Sequence, residues 1–215
     1  MYAAAAGRSL CFDDSVSTTD EHELRCAWES GDYRAVTTLA LERYGPEIIG
    51  VLRARLGSEP NAAEVFSLFA EDLWRGLSGF QWRSTLRAWA YRIARNATAR
   101  WAIASARKPE HNVPMDQVDI LELAERVRSS TMVHLRTEVK SEVRRLREEL
   151  AEPDQMLLIL RIDKALEWEE VAAALADDEL GAEDLKREAA RLRKRFQLVT
   201  EKLRALARER GLLDP

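Results

Sequence analysis

The sequence predicts an all-α protein of two helical domains joined by a linker. Three observations predict it. Ala, Leu, Arg and Glu dominate, while Gly (9) and Pro (6) are sparse in 215 residues, a composition that favours helix interiors. Apolar residues recur at three- and four-residue spacing, with no alternation of the strand type. A stretch from Pro109 to Asp119, with Pro109, Asn112 and Pro114, interrupts that pattern and divides the chain.

Residues 1–20 read as a flexible acidic tail of small residues, Ser/Thr and acid without a sustained period. A helical module is expected over 21–107. Leu39, Tyr44, Ile48, Val51, Leu52 and Leu56 line one stripe, and Gly57-Ser58-Glu59-Pro60-Asn61 is a stop followed by a new start. Val65, Phe66, Phe69, Leu73 and Leu77 form the next stripe, and Gly76 and Gly79 mark a break. A helix over about 84–106 follows, with Leu86, Trp89, Ile93 and Ala97 on one side. Residues 108–139 are a partly helical linker. The second module is expected over 140–213. Pro153 fits the first turn of a helix near 154–163, a short helix follows over 167–176, and a polar break leads into a long charged helix over 183–210.

The net charge is −4, which argues against a uniformly basic nucleic-acid coat. The charge is nonetheless segregated. Residues 81–108 hold Arg83, Arg87, Arg92, Arg95, Arg100, Arg107 and Lys108 with no Asp or Glu. Residues 181–210 hold ten Lys/Arg against five acids. Two such blocks fit either two anionic contacts or two solvated helix faces. Cys11 and Cys26 make neither a disulfide framework nor a CxxC site. His22 and Cys26 share i, i+4 spacing, but two ligands do not complete a zinc site, so no metal and no cofactor are expected. No apolar run approaches the ~20 residues of a membrane span. The expectation is a cytoplasmic protein without membrane insertion. Phosphate-loop, HExxH and GxSxG patterns are absent. Neither an enzyme nor a small-molecule substrate is expected, and no residue is assigned a catalytic role.

Phe80–Asn96 interleaves Phe80, Trp82, Trp89 and Tyr91 with Arg83, Arg87, Arg92 and Arg95. Aromatic rings stack on unpaired bases and arginines hold the phosphate backbone. Trp89 shares a face with Leu86 and Ile93 and is expected in the core. Trp82 precedes the helix and is expected at the surface. Tyr91 fits either. In the second module a short amphipathic helix with Leu166, Val171, Ala172 and Leu175 precedes a basic helix with Lys186, Arg187, Arg191, Arg193, Lys194 and Arg195. That order suits a helix-turn-helix, whose second helix enters the major groove. It also suits a plain helical hairpin with a solvated face.

The run Phe80-x-x-x-Ser84-x-Leu86-Arg87-x-Trp89-x-Tyr91-Arg92-Ile93-Ala94-Arg95-Asn96 resembles region 2 of bacterial sigma factors of the extracytoplasmic-function group. Tyr44-Gly45-Pro46 through Leu56 resembles the start of that region, and Trp74 stands where the family commonly closes its second helix. Pro153-x-Gln155 through Arg161, and Leu166-x-Trp168-Glu169-Glu170-Val171-Ala172, resemble sigma region 4. The resemblance implies a factor that binds RNA polymerase core, at the clamp helices of its largest subunit and at its flap, and directs it to promoter DNA. It implies melted-strand contacts at the minus-ten element from Trp82, Arg83, Arg87, Tyr91, Arg92, Arg95, Asn96 and Arg100. Minus-thirty-five contacts would come from Lys186, Arg187, Arg191, Arg193, Lys194 and Arg195. Polymerase contacts would come from Glu64, Ser67, Leu68, Glu71 and Asp72. An anti-sigma factor is a further partner class that the resemblance admits.

The chain departs from the family pattern in three places. Ser67 and Leu68 replace the usual Gln and acid. Trp82 replaces a Gly. The region 4 turn reads Ala176-Asp177-Asp178-Glu179-Leu180-Gly181-Ala182. Two other functions stay open from sequence: a stand-alone helix-turn-helix regulator that needs no polymerase, and a helical adaptor or anti-factor that binds no DNA.

Overall fold

The computed structural model describes residues 14–105 and 141–210, which hold eight α-helices. The chain is all-α, as predicted. Helix α1 spans Asp14–Glu29, so it starts inside the stretch read from sequence as a tail. Asp and Ser favour helix starts, and Leu24 further along this helix is buried. Residues 1–13, the linker over 108–139 and Gly211 lie outside the described residues.

Local chemistry sets the boundaries of the first four helices. Gly31 takes a left-handed turn at φ 78°, and the Asp32 carboxylate then accepts from the Ala35 N–H to open α2, Tyr33–Leu56. Gly57 ends α2 at φ 62°, its N–H donating to the Arg53 carbonyl. Ser58 caps α3, Glu59–Gly76, with Pro60 in its first turn. A 3-10 turn, Leu77–Gly79, leads to α4, Leu86–Ser105. Two groups satisfy the start of α4. The Thr85 hydroxyl accepts from the Ala88 N–H at 3.2 Å, and Glu21 reaches across from α1 to accept from the Leu86 N–H at 2.8 Å.

In the second module α5 is Ser141–Glu148 and α6 is Glu152–Leu158, with Pro153 in its first turn as predicted. A π-helical turn, Ile159–Asp163, extends α6 to the predicted end. The chain then bends at Ala165, φ 51°, while the Arg161 guanidinium donates to the Leu166 carbonyl at 2.6 Å. Helix α7, Trp168–Leu175, starts with the Glu170 side chain folded back onto the Glu167 N–H at 2.9 Å. Helix α8 runs Ala182–Glu209, with Glu183 and Asp184 at its positive end.

The core is continuous across both modules. Leu41, Ile48, Ile49, Phe66, Phe69, Leu73 and Leu86 of the first half belong to the same buried cluster as Leu157, Leu160, Leu166, Val171 and Leu185 of the second. Helix α7 packs on α4, and its Ala172, Ala173 and Ala174 are small enough for close helix approach. The linker therefore connects halves that share one interior. A smaller cluster of Leu150, Leu158 and Val199 ties α8 to the start of α6.

Trp89 is 7% exposed and fills the space above Gly76, where an added Cβ would lie 3.0 Å from its ring. Trp89→Ala is expected to cost about 3–5 kcal/mol, read by denaturant or thermal melts. Gly76→Ala is expected to destabilise by about 1–3 kcal/mol by crowding the same ring. Glu21 supplies a test of sign. Burial, partly opposed by the Leu86 N–H and reinforced by Glu170, pushes its carboxyl above the usual range. The folded state thus holds the Glu21 proton more tightly than the unfolded state, so stability falls as pH rises through the folded pKa. Glu21→Gln keeps an acceptor and removes the charge. Melts should give it a stability at neutral pH equal to or above that of the parent, with any advantage shrinking as pH falls. Glu21→Ala should lose about 1–3 kcal/mol through the stranded Leu86 N–H.

Candidate nucleic-acid interface

The segment between α3 and α4 is shaped by aromatic packing. Phe80 is buried, with its ring centroid 4.7 Å from that of Trp89 and 5.1 Å from that of Trp82. Trp28 meets Trp82 edge-on at 6.2 Å and anchors itself by donating from Nε1 to the Leu77 carbonyl at 2.8 Å. Trp82 is therefore half-buried, and the expectation that it stands free at the surface is corrected. The physical reason is that Phe80 and Trp28 offer it an apolar wall and Arg25 lies 5.6 Å over its ring. Its backbone has φ 54°, the left-handed region that favours glycine. Trp82 thus combines a glycine-like backbone with a ring that packs.

Helix α4 presents its cations along one side and finds partners for most of them inside the protein. Arg87 makes a bidentate pair with Glu47 of α2, at 2.8 and 2.7 Å, and donates to the Lys164 carbonyl at 3.0 Å. The hydrogen bond to Glu47 raises the Arg87 pKa further above its ordinary value. Tyr91 is 4% exposed, so the structure resolves its two readings in favour of burial. Desolvation, with Glu47 nearby, pushes its phenol far up. Arg92 is 9% exposed and pairs with Glu179 at 3.2 Å. Arg95 donates to the Leu175 and Ala176 carbonyls at the end of α7 and to Asp177 at 2.9 Å. Burial lowers the Arg95 pKa against the pull of Asp177. Arg83 lies 4.0 Å from Glu179 and is exposed.

Asn96 and Arg100 are exposed on the same helix. Asn96 accepts from Arg95 at 3.3 Å, and Arg100 pairs with Asp72 of α3. Beside that pair the Trp101 indole donates to Glu64 at 2.8 Å. The five residues expected to face the polymerase divide accordingly. Glu64 and Ser67 are exposed, Leu68 is half-buried, Asp72 is paired, and Glu71 is buried against Arg75 at 2.6 Å.

In the second module Lys186, Arg187, Arg191, Arg193, Lys194 and Arg195 are all exposed on α8. Lys186, Arg187 and Arg191 pair with Glu183, Asp184 and Glu188 one turn back, while Arg195 pairs with Asp154 at 2.5 Å. Exposed pairs of this kind are worth about 0–1 kcal/mol and yield readily to a phosphate. The Trp168 ring lies between Arg161 at 4.9 Å and Arg193 at 5.8 Å and meets Phe196 edge-on. Sequence reasoning missed the partners of the α4 cations: Glu47, Asp177 and Glu179. The acid run at 177–179 was the one visible signal for two of them.

His22 and Cys26 do meet on one face of α1, 3.7 Å apart. Among the described residues no group of three or more such side chains is placed to hold a metal, and no helix is long and apolar enough to cross a membrane.

Comparison with known proteins converges on the same segment. Residues 40–107 match the model of sigma-70 region 2. The chain is 26% identical over 151 residues to the RNA polymerase sigma-H factor of Pseudomonas aeruginosa, covering 68% of this chain and 78% of that protein. That alignment is longer than the region 2 match and so extends beyond it. No solved structure matches the chain. Residues 40–107 are thus similar to sigma-70 region 2, and the longer alignment is to a protein that is itself a sigma factor.

Proposed function

We propose that this protein is an alternative sigma factor of the extracytoplasmic-function type. It binds RNA polymerase core, recognises minus-thirty-five and minus-ten promoter elements, and promotes melting of the DNA for initiation. The observation that carries this reading is α4, a helix without Asp or Glu inside the region 2 match, with Asn96 and Arg100 exposed along it. Its arginines answer phosphate charge, and its flank carries aromatic rings suited to stacking. Helix α8 supports the second half of the reading. Its first four turns carry six exposed cations, placed as the recognition helix of a helix-turn-helix would need them. Glu64 and Ser67 on α3 are the accessible candidates for the clamp contact. The protein contributes recognition and strand capture, and the polymerase carries out the chemistry.

The test is reconstitution. Purified chain is mixed with polymerase core at low salt, and run-off transcription is measured on promoters recovered by sequencing the DNA that the holoenzyme binds. Failure to associate with core, or a footprint that needs no core, would remove this reading; the latter is the outcome expected of a stand-alone regulator. Asn96→Ala and Arg100→Ala should reduce promoter opening, read by permanganate reactivity of unpaired thymines, while core association is retained. Lys186→Ala with Arg187→Ala should weaken holoenzyme binding to duplex promoter. Each lost phosphate contact should flatten the plot of log affinity against log salt by about one unit of slope.

A further inference from the structure

We propose that the turn Asp177–Glu179 is a built-in phosphate mimic that holds the free chain closed and keeps the α4 arginines from nucleic acid. This rests on the reading of α4 as the DNA-facing helix. Three observations meet at this place. First, the acids of the turn sit on the cations that reading assigns to DNA: Glu179 on Arg92 at 3.2 Å and beside Arg83 at 4.0 Å, and Asp177 on Arg95 at 2.9 Å. Second, Arg95 also donates to the Leu175 and Ala176 carbonyls, which form the half-buried negative end of the α7 dipole. A guanidinium held by carbonyl oxygens and a carboxylate meets oxygen acceptors much as it would on a phosphate. Third, Arg92 and Arg95 are largely desolvated at the seam, so a DNA strand cannot reach them until α7 leaves α4.

The turn is an addition peculiar to the ends of two elements. Asp177 is 98% exposed as a side chain, and Glu179 is 28% exposed. Neither packs the core, so burial gives no reason for acids here. Thr85, which donates to Glu170 at 2.8 Å, and Arg87, which donates to the Lys164 carbonyl, extend the same seam along α4. Opening therefore exposes Arg92 and Arg95 together and frees Arg83 beside them. Polymerase core, by holding the two halves apart, would open it.

The experiment uses the full chain. Asp177→Lys with Glu179→Lys places new cations against Arg83, Arg92 and Arg95. Hydrogen–deuterium exchange should rise in α7 and in the first half of α4 while helix content is retained. Affinity for a fluorescein-labelled, mixed-sequence single-stranded oligonucleotide should rise about tenfold or more, as expected when the binding-competent fraction grows by that factor. Glu42→Lys with Glu201→Lys, at exposed positions away from the seam, gives the same change of net charge and should leave both readouts near the parent values. Adding Arg92→Glu to the first pair re-forms an ion pair with position 179 and should restore part of the exchange protection, which separates a broken latch from a misfolded variant. Unchanged exchange at α4 and α7 would overturn the latch itself. An equal affinity gain in the control would reduce the effect to net charge and overturn the mimic. Opening without any gain in affinity would overturn both the mimic and the reading of α4 as the DNA face.

Discussion

An arginine-rich helix without acids of its own must have its charge answered from somewhere else, and α4 is that helix. In the free chain the answer comes from other elements. Glu47 of α2 takes Arg87, Glu179 takes Arg92, and the end of α7 takes Arg95. The Arg87–Glu47 pair lies within the first module, while the Arg92 and Arg95 contacts fix the second module on it. They also explain why two halves separated by a long linker share one buried core. Isolated surface pairs contribute little, but these are partly desolvated and joined to backbone acceptors, which makes their geometry more specific.

The aromatic cluster does a different job. Phe80, Trp82 and Trp89 fix the approach to α4, and Trp28 ties that approach to the C-terminal end of α1. Trp82 adopts a backbone state that most side chains avoid, and the ring contacts compensate for it. A residue read as a free stacking platform is thus also a structural one. The same ring can meet a base only if the wall behind it stays in place.

The polar ends of α1 and α7 meet at the start of α4. Glu21 caps the Leu86 N–H, and Glu170 accepts from Thr85. Two carboxylates close to one helix N-terminus complement its positive end, at the cost of burying Glu21. This arrangement makes α1 part of the first helical module.

Much of the fold was legible in the sequence, because helix signals are local. Gly57 and Ser58 mark the α2–α3 boundary, Pro153 marks the start of α6, and the spacing of Leu86, Trp89 and Ile93 marks α4. The candidate site was legible only as a set of residue types. Its basic character, its aromatic flank and its resemblance to sigma region 2 could all be read along one strand of text. Which cations are free could not. Arg92 and Arg95 look the same in sequence as Arg100, yet the first two are largely buried and answered by a turn eighty or more residues away, while Arg100 stays exposed. Trp82 and Tyr91 likewise went inward because of Trp28, Phe80 and Glu47, which sequence spacing does not link to them. The sequence by itself determined the helices and the chemistry of Phe80–Asn96. Tertiary packing decided which of those side chains meet solvent, since burial and ion pairing depend on partners that only the folded chain brings together.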